Sequence, residues 1–176
     1  MHLEYIEDRN VDAALDADLR KLLSTCFTGK INEVFLHQRF FSEMPAHRWL
    51  ARDSDGQLVA HLALHDKIFG TTAGDLRVGG IAEVCVIPSH RGQGLVRGLL
   101  ALSDEWMIKE GVPFGTLLGN HGVYGSSGYR KADNLLRYFV PSTGEWREES
   151  LSGFLIKPFG TIPWPSGLID LRGPKF

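Results

Sequence analysis

The residues best suited to chemistry lie between Val84 and Val96, where an apolar strand runs into a loop with two glycines. The loop reads Arg91-Gly92-Gln93-Gly94, and a helical pattern begins directly behind it at Leu95. Free backbone N–H groups at a helix start bind anions, and glycine lets the backbone come close to a phosphate. Together with the fixed positive charge of Arg91, this loop is suited to a pyrophosphate group.

The glycine spacing excludes two common phosphate-binding motifs. No Gly-Lys-Ser/Thr is present, so this is not a Walker loop. Gly92, Gly94 and Gly98 give G-x-G-x-x-x-G instead of the dinucleotide-binding G-x-G-x-x-G. The alternative is an ordinary connection from strand to helix, in which the glycines only permit a tight turn.

The elements that would position this loop follow from periodicity and turn residues. We expect helices at 13–27, with Asp12 as N-cap, at 32–41 and at 95–111. We expect strands at 48–52, 58–69, 76–87, 113–118, 136–140 and 153–156, with Leu58, Ala60, Leu62 and Leu64 on one face of the second. The first three strands form an antiparallel meander, whereas the order strand, loop, helix, strand is a crossover that joins parallel strands.

The segment from Arg91 to Val96 resembles the signature Arg/Gln-x-x-Gly-x-Gly/Ala of the GNAT N-acetyltransferase superfamily, with Val96 in place of a small residue. The preceding strand, the following helix and the next strand also come in family order. The resemblance implies a V-splayed sheet, and acetyl-CoA or another acyl-CoA as co-substrate, without a metal. It implies these cofactor-binding residues: Val84, Cys85, Val86, Arg91, Gly92, Gln93, Gly94, Leu95, Val96 and Asn120.

Two subfamilies are nearer in sequence. The segment Val59 to Leu64, with the loop and Leu95-Val96, is similar to the aminoglycoside 2'-N-acetyltransferases. Gly111 to Gly115 and the tail from Trp164 to Pro174 are similar to the nodulation-factor N-acyltransferases, which acylate the free amine of a chitin oligosaccharide. Lys30 stands where the aminoglycoside enzymes have an acidic residue, which argues against a polycationic sugar as substrate.

Amine acylation by a thioester needs a base for the ammonium, a donor for the oxyanion and an acid for the thiolate. Glu83 lies in the part of the strand where GNAT bases fall and is the candidate base. The alternative is a strand carboxylate on a solvated face or in an ion pair, and a bulge would change its face. Tyr124, in the pattern Tyr-x-x-x-Gly-aromatic, resembles the family's general acid. The alternative is a packed tyrosine, with these fallbacks for the acid: Ser126, Ser127 and Tyr129.

Other side chains that could bind a ligand or react also have simpler structural interpretations. Asn120 would either bind the pantetheine arm or cap a turn, and Cys85 is interpreted as core packing. Trp164 and Asp170 are candidate substrate-binding residues, because an aromatic face and a carboxylate suit an amino sugar. A tail that only staples the sheet is an equal alternative. His61 and His65 would lie about 13 Å apart on one strand, so no metal site is predicted.

Composition excludes several classes of function. The net charge is −2 without runs of like charge, so neither nucleic acid nor an anionic membrane is an expected partner. No apolar stretch approaches the roughly 20 residues that span a bilayer, and the acidic N-terminus lacks a signal segment. Two cysteines make no disulfide framework, which favours the cytoplasm.

These observations predict one α/β (α+β) domain over residues 1–176, of GNAT type, with a mixed, mostly antiparallel sheet and an ordered tail at 161–176 without regular structure. The predicted reaction is direct transfer of an acetyl or other acyl group from coenzyme A to a primary amine of a small molecule, such as an amino sugar. The alternatives are a longer-chain N-acyltransferase on an amino sugar and a non-catalytic acyl-CoA-binding module. Compared with the family pattern, the glycine-rich loop at Tyr124 is shorter by about one helical turn, which keeps the second alternative open. A homodimer is also left open.

Overall fold

The computed structural model describes residues 1–176. The chain forms two compact units: the first comprises residues 1–65 and 82–103, and the second comprises residues 66–81 and 104–176. The strands are β1 His2–Glu7, β2 His47–Arg52, β3 Leu58–Thr71, β4 Gly74–Val86, β5 Phe114–Leu118, β6 Arg130–Lys131, β7 Leu135–Val140, β8 Glu145–Ser150, β9 Phe154–Pro158 and β10 Leu168–Pro174. The helices are α1 Ala13–Cys26, α2 Leu95–Lys109 and α3 His121–Tyr124. Short 3₁₀ segments cover Asp8–Asn10, Lys30–Leu36, Pro88–His90 and Gly125–Ser127.

The first unit is built on antiparallel pairing of β1 with β2 and of β2 with β3. Helix α1 begins where predicted, because the Asp12 carboxylate accepts a hydrogen bond from Leu15 N at 2.8 Å. One core cluster of this unit is built from α1, the 3₁₀ segment Lys30–Leu36 and the strands β2, β3 and β4. Its buried residues are Leu19, Leu22, Leu23, Phe35, Leu50, Leu58 and Cys85.

One expectation for this unit is wrong. The helix predicted at 32–41 is only the 3₁₀ segment Lys30–Leu36. Beyond it the Gln38 amide donates to the carbonyls of Phe40 and Phe41, and such side-chain bonds compete with the helical ladder. The burial of β3 extends beyond the one face predicted from Leu58, Ala60, Leu62 and Leu64, because all eight residues from Leu58 to His65 are buried. Both faces of this strand are therefore covered.

The second unit holds the strand order β6-β9-β5-β4-β3-β10-β7-β8. The pairs β4–β5 and β10–β7 are parallel and the other registered pairs are antiparallel. The predicted crossover and the α+β class with a mixed, mostly antiparallel sheet are therefore confirmed. Its core residues are Phe69, Val78, Phe114, Leu136, Tyr138, Phe154, Ile156, Ile169 and Leu171.

Four strands were not predicted from the sequence. The strands β1, β6 and β8 were not expected, and β10 lies in the tail that was expected to lack regular structure. The prolines and glycines around β10 hide a short alternating run in which Ile169 and Leu171 are buried. On α2, Ile108 is 58% exposed, whereas the neighbouring Met107 is buried.

No helix in this structure combines the length and the hydrophobicity needed to cross a bilayer.

Candidate active site

Glu83 interrupts the regular path of β4. Its backbone has φ 53°, a left-handed conformation that is rare for a residue with a Cβ and that collects at functional sites. Its side chain is only 6% exposed. Phe41 N donates to Oε1 at 2.7 Å, whereas Oε2 is buried without a hydrogen-bond partner. A residue with a strained backbone thus holds a buried carboxyl group, and only one of its two oxygens forms a hydrogen bond.

Arg48 of β2 is the central cation beside Glu83 and is itself fully buried. Its Nε donates to Asp8 Oδ1 at 2.5 Å and its Nη2 donates to the carbonyl of Arg39 at 2.9 Å. Its Nη1 contacts His61 Nε2 at 2.8 Å but lies 3.6 Å from Glu83 Oε2. The guanidinium is therefore directed mainly at partners other than Glu83.

Arg39 completes the network from the segment before β2. Its Nε and Nη2 donate to both carboxylate oxygens of Asp8, at 3.0 and 2.6 Å, and its Nη1 donates to Asp16 at 3.0 Å. Asp16 also pairs with Arg20, at 2.8 Å. The cation of this network that faces the Glu83 carboxylate is Arg48, whose Nη1 lies 3.6 Å from Oε2.

The titration behaviour follows from this geometry. Burial raises the pKa of Glu83 to about 7, although Arg48 and the Phe41 N–H oppose the shift. Burial also disfavours the Asp8 carboxylate, yet Arg39 and Arg48 outweigh it and hold the pKa of Asp8 below its ordinary value. Glu83 is therefore the member of the network that can gain or lose a proton near neutral pH.

His61 joins Arg48 to the backbone of Glu83. Its Nδ1 lies 3.0 Å from the Glu83 carbonyl and its Nε2 faces Arg48. Because an arginine only donates, Nε2 must accept, and the ring proton sits on Nδ1, which donates to the carbonyl. Burial and the charge of Arg48 lower the pKa of His61 to about 3, so the ring is neutral.

The glycine loop follows β4 directly. Arg91 Nε donates to the carbonyl of Val86 at 3.2 Å, which fixes the start of the loop. Gly92 and Gly94 have φ 76° and 77°, and nothing lies within 4 Å of the position that a Cβ would occupy on either. Helix α2 begins at Leu95 and has no acidic residue in its first turn. The backbone of the loop is exposed, and the first turn of the helix behind it contains Arg97 and no acidic residue. This arrangement is suited to binding a phosphate.

The remaining residues predicted near the cofactor lie as follows. Gln93 is exposed, Val84, Leu95 and Val96 are half-buried, and Cys85 and Val86 are buried. The Cys85 side chain packs in the core of the first unit. A hydrogen bond with Cys26 and burial raise the pKa of the Cys85 thiol well above its ordinary value. A thiol that stays protonated is a poor nucleophile, which agrees with its interpretation as a core residue.

A protein-family model described as an acetyltransferase (GNAT) domain matches residues 9–132. The chain belongs to the GNAT acetyltransferase family. No curated protein matches the sequence significantly. The resemblance to two GNAT subfamilies therefore remains a prediction.

Solved structures share the GNAT fold over nearly the whole chain. The GNAT family N-acetyltransferase YhbS from Escherichia coli, in complex with CoA, is 21% identical with a TM-score of 0.67, over 97% of this chain and 90% of that one. A GNAT family acetyltransferase from Brucella melitensis, in complex with acetyl-CoA, is 16% identical with a TM-score of 0.62, over 96% and 94%. One from Staphylococcus aureus is 12% identical with a TM-score of 0.60, over 90% and 100%. At these identities the likeness shows the fold.

Tyr124 of this GNAT chain lies in the second unit, at the end of α3, and is half-buried. Its ring packs edge-on against Tyr129, with 6.3 Å between centroids. It also covers Gly119, where an added Cβ would lie 2.6 Å from the ring. The fallback Tyr129 is 1% exposed and its hydroxyl is buried without a hydrogen-bond partner.

Three other predicted site residues of the GNAT chain are occupied by local contacts. Asn120 Oδ1 accepts from Gly122 N at 2.8 Å, so its side chain caps α3. Trp164 Nε1 donates to Asn134 at 2.7 Å while its ring packs against the second core. Asp170 accepts from Arg137 and from the backbone of Arg172. These contacts are the ones expected of a turn cap and of a tail that staples the sheet.

Four residues of the network around Glu83 were not predicted as site residues from the sequence: Asp8, Arg39, Arg48 and His61. A usable signal exists for two of them. Arg48 and His61 each stand in a run of otherwise apolar strand residues, and charged or polar residues in such runs are rarely buried without partners. His61 was considered only as a metal ligand. No group of three or more His, Cys, Asp or Glu side chains is arranged to hold a metal ion.

Proposed function

We propose that the protein transfers an acetyl group from acetyl-CoA directly to a primary amine of a small molecule. The observation that carries the proposal is the place of Glu83, a carboxyl that is buried on the strand that runs into the glycine loop and whose pKa is raised by burial to about 7. A general base is most effective when its pKa is close to the working pH. Membership of the acetyltransferase family supports the same reaction.

The loop would hold the pyrophosphate of the co-substrate. The φ angles of Gly92 and Gly94 turn the backbone while leaving open space where side chains would stand. The Arg91 side chain and the first turn of α2 supply positive potential, since that turn contains Arg97 and no acid. The loop therefore offers both the open space and the positive potential that suit a pyrophosphate.

In the proposed reaction the acceptor ammonium gives a proton to Glu83, and the free amine attacks the thioester carbonyl carbon. A C–N bond forms, the C–S bond breaks and the electron pair leaves with sulfur. The phenol of Tyr124 is assigned the proton that the departing thiolate takes up, on the family pattern of its sequence. The buried, protonated Cys85 supports direct transfer without an acyl-cysteine.

The acceptor is proposed to be a small primary amine with little additional positive charge, such as a singly charged amino sugar. Lys30 is exposed at the start of the 3₁₀ segment that follows α1. A cation there repels polycationic amines. A panel that contains amino sugars, simple alkylamines and aminoglycosides ranks these classes by kcat/KM.

Gly94→Asp is expected to abolish acetyl-CoA binding, because it places bulk and negative charge where the phosphate would lie. In the wild type, acetyl-CoA at about one hundred times its Kd should raise the free energy of unfolding by about 2.7 kcal/mol. Thermal unfolding with and without acetyl-CoA measures this. Gly144→Asp is the matched control, because Gly144 has φ 69° with open space in the turn between β7 and β8. A full shift in Gly94→Asp would contradict the assignment of the loop.

Tyr124→Phe is expected to lower kcat by about 10²- to 10⁴-fold, the usual worth of a positioned acid. The ring and its packing on Gly119 are retained, so acetyl-CoA affinity should stay unchanged. Tyr138→Phe is the control, since its hydroxyl donates to Glu149 in the second unit and its loss should affect stability alone. Steady-state kinetics together with equilibrium binding separate the two effects. If Tyr124→Phe keeps its full rate, the proton comes from another group.

A further inference from the structure

We propose that His61 is a positioning residue: it holds Arg48 away from Glu83 and so leaves Glu83 able to take a proton from the acceptor amine. The inference rests on the proposed function, because it concerns how the assigned base is kept basic. It is carried by the way in which Arg48 distributes its N–H groups.

Arg48 lies within ion-pair distance of Glu83 but not within hydrogen-bond distance of it. Its Nη1 lies 3.6 Å from Glu83 Oε2, outside the range of about 2.7–3.2 Å for such a bond. The same Nη1 donates to His61 Nε2 at 2.8 Å. The Oε2 atom is left buried and without a hydrogen-bond partner. A displacement of Nη1 by less than about 1 Å would complete the bond.

His61 cannot move easily, because it is fixed at both ends. The residue is 0% exposed, and Nδ1 donates to the carbonyl of Glu83 while Nε2 accepts from Arg48. Through these two bonds the ring acts as a spacer between the guanidinium of Arg48 and the backbone of Glu83. Without the ring, the guanidinium would bind the Glu83 side chain. The neutral ring adds no charge of its own.

The other groups around Glu83 explain why its pKa depends on the position of Arg48. Asp8 pairs with Arg48 and supplies a like charge that disfavours the Glu83 carboxylate. The Phe41 N–H favours the carboxylate through Oε1. Cys85, two residues along β4, is held protonated beside Cys26 of α1. Arg39 is taken up by Asp8 and Asp16. Arg48 is therefore the cation whose direct bond to Oε2 would lower the pKa of Glu83.

Two substitutions divide the functions of the imidazole. In His61→Asn the amide can take the place of Nδ1 and donate to the Glu83 carbonyl, but it is too short to accept from Arg48. In His61→Gln the amide reaches the place of Nε2 and can accept from Arg48. We expect His61→Asn to free Nη1 for Glu83 and lower the pKa of Glu83 by about one to two pH units, because a hydrogen-bonded opposite charge favours the carboxylate. We expect His61→Gln to restore the wild-type pKa.

The test is a carbon-13 NMR titration of the Glu83 carboxyl carbon in substrate-free protein, with the signal assigned by its loss in Glu83→Gln. The expected result is a lower midpoint in His61→Asn and a restored midpoint in His61→Gln. The proposal is overturned if folded His61→Asn titrates like the wild type, or if both variants shift equally. Asp8→Asn is a second arm, since it removes the carboxylate that compensates Arg48 and should also lower the midpoint. An unchanged midpoint in folded Asp8→Asn would also overturn the proposal.

Activity measurements distinguish the positioning role of His61 from the proposed acetyltransferase function. In His61→Asn the acidic limb of the kcat profile should move to lower pH with the midpoint, and the plateau should fall because the base is weaker. If the NMR midpoints behave as expected but the wild type acetylates no amine, the proposed function is wrong and the control of Glu83 by His61 stands. If the wild type is active and the midpoints do not move, the positioning role is wrong.

Discussion

Glu83→Gln is expected to lower kcat by about 10²- to 10⁴-fold, because glutamine cannot accept the proton that the acceptor amine must lose. Acetyl-CoA affinity should be unchanged, since the substitution leaves the loop and its glycines untouched. The wild-type kcat should rise with pH through a midpoint near 7, where Glu83 becomes ionised. That acidic limb should be absent in the variant, while any limb due to the amine itself remains.

Steady-state rates from pH 5.5 to 8.5 measure this effect. Glu33→Gln is a matched control, because Glu33 is an exposed carboxylate of the 3₁₀ segment Lys30–Leu36. It should keep the wild-type rate and profile. A Glu83→Gln enzyme with a wild-type kcat would exclude Glu83 as the base and would favour a water or the acceptor's own free amine.

Stability gives a second readout of the same variant. The folded pKa of Glu83 is raised above its ordinary value of 4.5, so the protonated form is favoured by folding. Its contribution is fully present below pH 4.5 and is lost as the pH rises through about 7, by up to about 3 kcal/mol. Relative to the wild type, Glu83→Gln should therefore gain stability between pH 5 and pH 8. Denaturant unfolding at these two pH values measures the change.

Arg48→Met is expected to destabilise the fold by about 3 to 5 kcal/mol, the usual cost of removing one partner from a buried ion pair. For a chain of this size, this corresponds to a Tm that is lower by about 6 to 20 °C. The reason is that Asp8, whose side chain is 2% exposed, would lose one of its two cations, while His61 would lose the donor to Nε2. Methionine fills a similar length, so little of the loss should come from an empty cavity.

Thermal unfolding at neutral pH measures the loss, and Arg9→Met provides the comparison. The Arg9 side chain is 79% exposed and pairs with Glu7 at the surface. Surface pairs of this kind contribute about 0 to 1 kcal/mol. If Arg48→Met were as stable as Arg9→Met, the buried network could not be the framework that holds Glu83.

The part of the site that the sequence predicted is local along the chain. The loop from Arg91 to Gly94, the strand before it and the helix after it are contiguous, so glycine spacing and periodicity identify them together. Glu83 was found because it lies on the same strand. The backbone at Glu83 is left-handed, while the expectation that a bulge redirects this side chain stays a prediction.

The surroundings of Glu83 could not be predicted in this way. Asp8 and Arg48 are 40 residues apart, Arg48 and His61 are 13 apart, and Phe41 and Glu83 are 42 apart. Pairing of strands creates these contacts, and periodicity within one segment carries no information about which segments pair. The spacing of His61 and His65 was considered only in relation to metal binding and gave no hint of a contact with Arg48.

The tail shows a different limit. Its prolines and glycines indicate irregular backbone, and they surround a seven-residue strand whose partners are β3 and β7. Trp164 and Asp170 were chosen for their chemistry, whereas their contacts with Asn134 and Arg137 are structural. A side chain with suitable chemistry is therefore weaker information than a suitable side chain next to a motif with a defined spacing.

The most direct test of the account is thiol release from acetyl-CoA by wild-type protein across a panel of primary amines, followed from pH 5.5 to 8.5 with the acetylated product identified by mass spectrometry. The account predicts stoichiometric N-acetylated product with at least one small amine and a kcat that rises through a midpoint near pH 7. A protein that binds acetyl-CoA but releases no thiol with any amine at any of these pH values would contradict it. That outcome would favour a non-catalytic acyl-CoA-binding module.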